Sequence, residues 1–298
     1  AYTSFGNQIV VDQNQFGFIL RLKLPVVLDL VYSKIDESGS LNDDGDNGDG
    51  DFFGGQATYK SDIWNVGLLA ATINDNSDVD NSPWVFGLFG GYTWGPLALK
   101  GELDFLGGDL GRDDQKGTQI WGNGQWNFSP NIYIAGDLWY ADSHNSADER
   151  QITGITDGGD SFSIADYGPF NTDILPLEDI PGFLRANSAI TGKDANARTQ
   201  TIPEFDPSGS SAGAFGGAIK GGWRVIEPVL LTAQYMYITP DSSTNTALNN
   251  VQVISLGVDW ECMSNTTLSG QYVWTGLDVD SVSTDSSNIL VARLQIKW

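Results

Sequence analysis

The densest run of chemically capable residues is Asn42-Asp43-Asp44-Gly45-Asp46-Asn47-Gly48-Asp49-Gly50-Asp51. Carboxylate oxygens on a glycine-rich backbone suit a hard divalent cation, so Asp44, Asp46, Asp49 and Asp51 are candidate Ca²⁺ ligands. The spacing misses the D-x-[DN]-x-[DN]-G register, and no glutamate follows at the twelfth position, which favours a solvated acidic loop. A second candidate is His144 with Ser146, two residues apart on one face of an extended segment. A nucleophile needs a base, and the base needs a third group to orient it; no such third group can be nominated here, so no enzymatic activity is expected. The lone cysteine, Cys262, excludes an internal disulfide framework, and there is no CxxC or Cys/His cluster of the kind that binds zinc. No cofactor is expected apart from Ca²⁺ at the acidic loop.

The remaining charges fall into a pattern of period two. In residues 97 to 105, Leu97, Leu99, Gly101, Leu103 and Phe105 occupy one face and Ala98, Lys100, Glu102 and Asp104 the other. Successive side chains of a strand point to opposite faces, so this is a strand with one apolar and one charged side. The pattern recurs along the chain. Leu290, Ala292, Leu294 and Ile296 alternate with Val291, Arg293, Gln295 and Lys297; Ile254, Leu256, Val258 and Trp260 with Ser255, Asp259 and Glu261. Phe215, Ile219, Trp223 and Val225 oppose Lys220 and Arg224, and Ile132, Ile134, Leu138 and Tyr140 oppose Asp137. Further hairpins lie at residues 16–35, 53–73 and 84–105, after a weaker first segment near residues 4–11, giving about fourteen strands.

The connections decide what kind of sheet this is. Short ones such as Lys23-Leu24-Pro25-Val26, Ser61-Asp62, Gly95-Pro96, Ser129-Pro130-Asn131, Glu227-Pro228 and Cys262-Met263-Ser264 alternate with longer acidic and Ser/Asn-rich ones. A soluble sandwich has no reason to sort loop length by end, whereas a transmembrane barrel has short turns on one side and long loops on the other. Trp, Tyr and Phe near strand ends suit the interfaces of a membrane. The expectation is an all-β, antiparallel, up-and-down transmembrane barrel occupying residues 1–298 as one domain. Its longest connection, residues 144–211, lies outside the membrane or folds into the lumen. That segment shows no period-two pattern, yet Ile174, Leu175, Leu177, Ile180, Phe183 and Leu184 give it apolar area to bury.

Composition agrees. Lys plus Arg number 15 against 38 Asp plus Glu, a net charge of −23, which makes nucleic acid an improbable partner. No apolar run approaches the roughly 18 residues of a spanning helix. The start, Ala1-Tyr2-Thr3-Ser4-Phe5, lacks the basic and apolar regions of an export signal, so a signal has been removed or lies upstream, where further strands could also lie.

The hairpin series and the terminal Leu294-Gln295-Ile296-Lys297-Trp298 resemble bacterial outer-membrane porins, whose chains end on an aromatic residue that signals assembly. That family usually ends in Phe, so Trp298 is a departure. Gly6-Asn7-Gln8 and the run Phe16 to Glu37 resemble, more weakly, alginate-export barrels. The porin resemblance implies an outer-membrane location and a water-filled lumen passing ions and small polar solutes. It also implies lipid and the barrel-assembly machinery as partners, and often a homotrimer. The polar face would then line the pore with Arg21, Asp29, Lys60, Lys100, Glu102, Asp104, Asp137, Lys220, Arg224, Asp259, Glu261 and Arg293. The acid excess in the loops predicts a modest preference for cations or neutral solutes. Two other classes remain open. One is a structural barrel anchoring a surface layer through acidic loops and divalent ions. The other is an enzyme resembling outer-membrane phospholipase A, although Ala147-Asp148 follows Ser146 where that enzyme has Asn-Gly.

Overall fold

A computed structural model describes residues 2–4, 12–14, 16–35, 50–75, 82–110, 113–142, 149–151, 214–239, 248–279 and 282–297. β1 (Tyr2–Ser4) and β2 (Asp12–Asn14) form a small antiparallel ribbon of their own. The main sheet begins with β3 (Phe16–Lys23), β4 (Val26–Ile35), β5 (Gly50–Lys60), β6 (Trp64–Asp75) and β7 (Trp84–Trp94). It continues through β8 (Leu97–Leu110), β9 (Asp113–Ser129) and β10 (Ile132–Ala141), with the short β11 (Glu149–Gln151) beside β9. β12 (Ala214–Ile226), β13 (Val229–Thr239), β14 (Leu248–Met263), β15 (Thr266–Val279) and β16 (Val282–Ile296) complete it. Apart from β11, each strand pairs antiparallel with its sequence neighbours, and β10 pairs with β12. This is the wall of an up-and-down barrel. Among the described residues the wall holds thirteen sequential strands, ending at β3 and β16.

The period-two pattern maps onto the two faces of this wall. On β7, Trp84, Phe86 and Leu88 are exposed while Val85, Gly87 and Phe89 are buried. Leu99 and Phe105, Ile134 and Leu138, and Leu256 and Trp260 are likewise on the exposed face. So large an apolar surface cannot face water, and the bilayer is the medium that accepts it. Every backbone group at membrane depth then needs a partner within the protein, and from β4 to β15 the antiparallel ladder supplies it on both sides of each strand.

The turns at one end are short for identifiable reasons. Pro228 has no N–H to offer a ladder and sits in the turn between β12 and β13, while its carbonyl accepts from Glu261 N at 2.8 Å. Ser61 Oγ accepts from the Ile63 and Trp64 amides, each at 3.3 Å, and tightens the turn between β5 and β6.

Two expectations are corrected. The opposite end does not carry long connections throughout: only residues 111–112 separate β8 from β9, and only 280–281 separate β15 from β16. Those ladders run on as ribbons, so β9 reaches 17 residues, well beyond the roughly 9–11 needed to span. Residues 144–211 are not strandless, because Glu149–Gln151 pairs parallel with residues 114–116 of β9. Three residues are too few to show a period. Of the expected first segment near residues 4–11, residues 5–11 lie outside the described residues; among the described residues the main sheet begins at Phe16.

Candidate functional site: the inner face of the barrel

All twelve residues expected to line the pore lie on the face opposite the lipid-exposed one. They differ in depth along the barrel axis. Lys60, Lys100, Arg224, Glu261 and Arg293 lie within the few residues nearest the short turns, with Lys220 and Asp259 close by. The side chains of Lys60, Lys100, Glu261 and Arg293 are exposed there. Lys23 and Lys297, on the same face and at the same end, are exposed as well. Cationic groups therefore predominate in the short-turn half.

Two ion pairs organise this region. Arg21 Nε donates to Asp29 Oδ1 at 2.6 Å and Arg21 Nη2 to Asp29 Oδ2 at 3.1 Å, a two-point clamp between β3 and β4. Gln56 on β5 adds a third donor to Asp29 at 3.1 Å. Arg224 Nη1 lies 3.2 Å from Glu261 Oε1 across the turn end and also donates to the Glu227 carbonyl. Nearer the water than Asp29, this second pair is worth little in stability but fixes two charges at the mouth.

The long-connection half of the same face is different. Val31, Phe52, Leu69, Ile73, Val85 and Phe89 point inward from β4 to β7 and are buried; Met236, Ile238, Val251, Val253 and Val273 do so from β13 to β15. The inner face is therefore not polar along its whole depth. Parity alone could have placed these residues inward, but apolar residues on both faces erase the contrast that makes parity legible.

Between these regions, on β8, β9 and β10, Glu102, Asp104 and Asp137 are buried together. The register sets Asp104 opposite Gln119, Glu102 opposite Trp121, Trp121 opposite Trp139, and Asn123 opposite Asp137. Gln119 Nε2 donates to Asp104 Oδ2 at 3.1 Å, and Asn123 Nδ2 to Asp137 Oδ2 at 2.9 Å. Gly87 on β7 provides the space: a Cβ there would collide with Asp104 Oδ1 and press on Leu69. Trp121 and Trp139 are not among the twelve residues expected to line the pore. The signal for them was present, since each lies two residues from an inward polar side chain.

Of the proposed Ca²⁺ ligands, Asp44, Asp46 and Asp49 lie outside the described residues, as do His144, Ser146 and Trp298. Asp51 accepts a hydrogen bond from the Tyr32 hydroxyl at 2.9 Å. Among the described residues no group of three or more His, Cys, Asp or Glu side chains is arranged to hold a metal ion.

A single ladder of sequence-adjacent antiparallel strands, oily outside and charged inside, has counterparts among solved structures. The outer membrane channel DcaP of Acinetobacter baumannii superposes with a TM-score of 0.51, covering 97% of this chain and 85% of that one at 11% identity. The fold is that of an outer-membrane porin barrel. Pseudomonas aeruginosa OccK3 (OpdO) gives a TM-score of 0.53 at 10% identity, covering 100% of this chain and 75% of the other. OccK11 (OpdR) of the same species gives 0.52 at 8% identity, covering 96% and 71%. No family model and no curated protein sequence matches the chain. The likeness to the porin barrels is one of backbone architecture, and the inner face has to be read from its own residues.

Proposed function

We propose that the protein is a passive channel of the outer membrane for ions and small polar solutes, with a modest preference for cations or neutral species. The observation that carries this reading is the exposed, charge-lined inner face at the short-turn end, enclosed by a wall whose other face is apolar. A charge in a bore with low-dielectric walls acts strongly on a passing ion, so Lys60, Lys100, Arg224, Asp259, Glu261 and Arg293 are the groups that would tune passage. The loop sequences are acidic: residues 36–49 carry six carboxylates and no basic residue. They draw cations toward one mouth while the inward lysines and arginines oppose them, so the preference is small.

Purified protein inserted in a planar bilayer should give discrete conductance steps, with a reversal potential in a salt gradient that indicates weak cation selectivity. A clear anion preference at low salt would remove the selectivity assignment, and absence of unit conductance would remove the channel assignment. A homotrimer, and recognition of the terminal Trp298 by the assembly machinery, belong to the same proposal; cross-linking in native membranes tests the first and deletion of Trp298 the second.

A further inference from the structure

The inner face is wetted at one end and dry at the other. Near the short turns Lys60 and Arg293 are exposed, as side chains lining an open bore should be. In the long-connection half the inward side chains are not. Phe52, Val251 and Val273 are 0% exposed, and Leu69, Val85, Met236 and Ile238 hardly more. The polar residues Gln271 and Thr275, on the same strand and face as Val273, are equally dry. These positions belong to β5–β7 and β13–β15, which the strand order sets on opposite sides of a barrel. The described backbones approach one another only between ladder neighbours, apart from isolated residue pairs, so the two walls do not dry each other by direct packing of strand on strand. Water in the bore would wet both. A third body between them is required.

Whatever lies there has to present apolar surface, because polar groups set against Phe52, Val251 and Val273 would lose water without gaining a partner. Of the connections at that end, residues 36–49 carry one large apolar residue, Leu41, residues 76–81 carry one, Val79, and residues 240–247 carry none. Residues 152–213 concentrate Ile174, Leu175, Leu177, Ile180, Phe183 and Leu184 in a single stretch. The anchors of this segment agree. β11 pairs with residues 114–116 of β9 on the side that β10 occupies from Gln119 onward. It runs down that lane toward Asp142, whose amide donates to the Thr118 carbonyl at 3.1 Å and fills the lane below. At residue 152 the chain has to leave the plane of the wall, and it rejoins the wall at Ala214, beside Ala141 on the same rim. We propose that residues 152–213 dock inside the long-connection half of the bore, with the apolar run 174–184 seated between the inner faces of β5–β7 and β13–β15. This rests on the channel reading above and deepens it: solutes pass along this segment, and the open part of the bore is the short-turn half with its lysines and arginines.

The test uses full-length protein carrying Cys262→Ser, to which Val253→Cys adds one thiol on the dry wall and, in a separate protein, Lys60→Cys adds one in the wetted half. Reaction with a small charged methanethiosulfonate is followed in detergent. The thiol at position 60 should react fast and the thiol at position 253 slowly. Adding Leu177→Glu and Phe183→Glu, which cannot seat against an apolar wall, should speed the reaction at position 253 at least about tenfold, because a buried thiol reacts only while its site is open. The same pair of changes should raise unit conductance in a bilayer. A thiol at position 253 that reacts as fast as the one at position 60 without the glutamates would show an open bore and overturn the proposal. A slow reaction that the glutamates leave unchanged in a folded variant would overturn it in favour of another occupant. Phe183 replaced by p-benzoylphenylalanine gives a second reading that does not depend on the folding of the glutamate variant: photo-cross-links to β5–β7 or β13–β15 are expected, and cross-links confined to detergent or to a second copy of the chain would overturn the docking. A conducting channel whose position 253 is open from the start refutes this inference and leaves the channel intact; protein that labels as expected but never conducts does the reverse.

Discussion

Leu256 lies on β14, about half exposed on the lipid face, and its neighbour Ser255 is buried on the inner face. Adjacent residues of one strand thus live in hydrocarbon and in the protein interior. Leu256→Arg places a charge near membrane mid-depth, where such a change in a barrel costs about 2–4 kcal/mol. Reversible urea unfolding in lipid vesicles should show a loss in that range, and Leu256→Ala a smaller one. Arg224 makes the opposite case. Its pairing with Glu261 joins side chains 32% and 55% exposed, and ion pairs in water contribute at most about 1 kcal/mol. Arg224→Ala is therefore expected to leave the unfolding midpoint almost unchanged while altering ion selectivity at the short-turn mouth. A large loss of stability would show that the pair holds the turn together.

At the scale of the element, the turns make demands that the strands do not. Gly95 has φ +55° in the turn between β7 and β8, and a Cβ there would meet nothing within 4 Å. The cost of Gly95→Ala is then backbone strain alone, about 1–2 kcal/mol. Gly108, in the ribbon extension of β8, has φ +101° and also lacks room, because a Cβ would collide with the Ser82 carbonyl. Gly108→Ala should cost more than Gly95→Ala in the same unfolding assay, and the reverse order would contradict this account. The Gly95-Pro96 turn was legible because its residues name their own conformation and clean alternation flanks it. The extension at residues 106–117 was not: Leu106-Gly107-Gly108-Asp109-Leu110 has no period, and only the cross-strand ladder to Asp113–Gly117 makes it a strand. The same reasoning separates the two halves of the site. Lys100, Arg224 and Arg293 stood out as charges against oils, whereas Phe52, Leu69 and Val253 face inward amid outward apolar neighbours and carry no such contrast.

At the scale of the molecule, the charges are sorted along the barrel axis. Lys23, Lys60, Lys100, Arg224, Arg293 and Lys297 lie at the short-turn end of the inner face, eight of the chain's 15 basic residues once Arg21 and Lys220 are added. Connections at the other end include residues 36–49 with their six carboxylates. A pore positive at one end and negative at the other does not conduct equally in both directions. When the long-connection side is positive, cations enter through the acidic mouth and anions through the basic one, each favoured by the charge it meets, and both accumulate inside. Reversing the voltage draws each ion against like charge and depletes the bore. Unit current at low salt should therefore be larger with the long-connection side positive. The difference should shrink as the Debye length falls from about 10 Å at 0.1 M to about 3 Å at 1 M. Combining Lys60→Gln and Arg293→Gln should weaken the asymmetry without closing the channel, since both side chains are exposed. Current that is symmetric at 0.1 M, in channels whose orientation has been fixed by one-sided addition, would show that the axial sorting of charge does not govern ion flow.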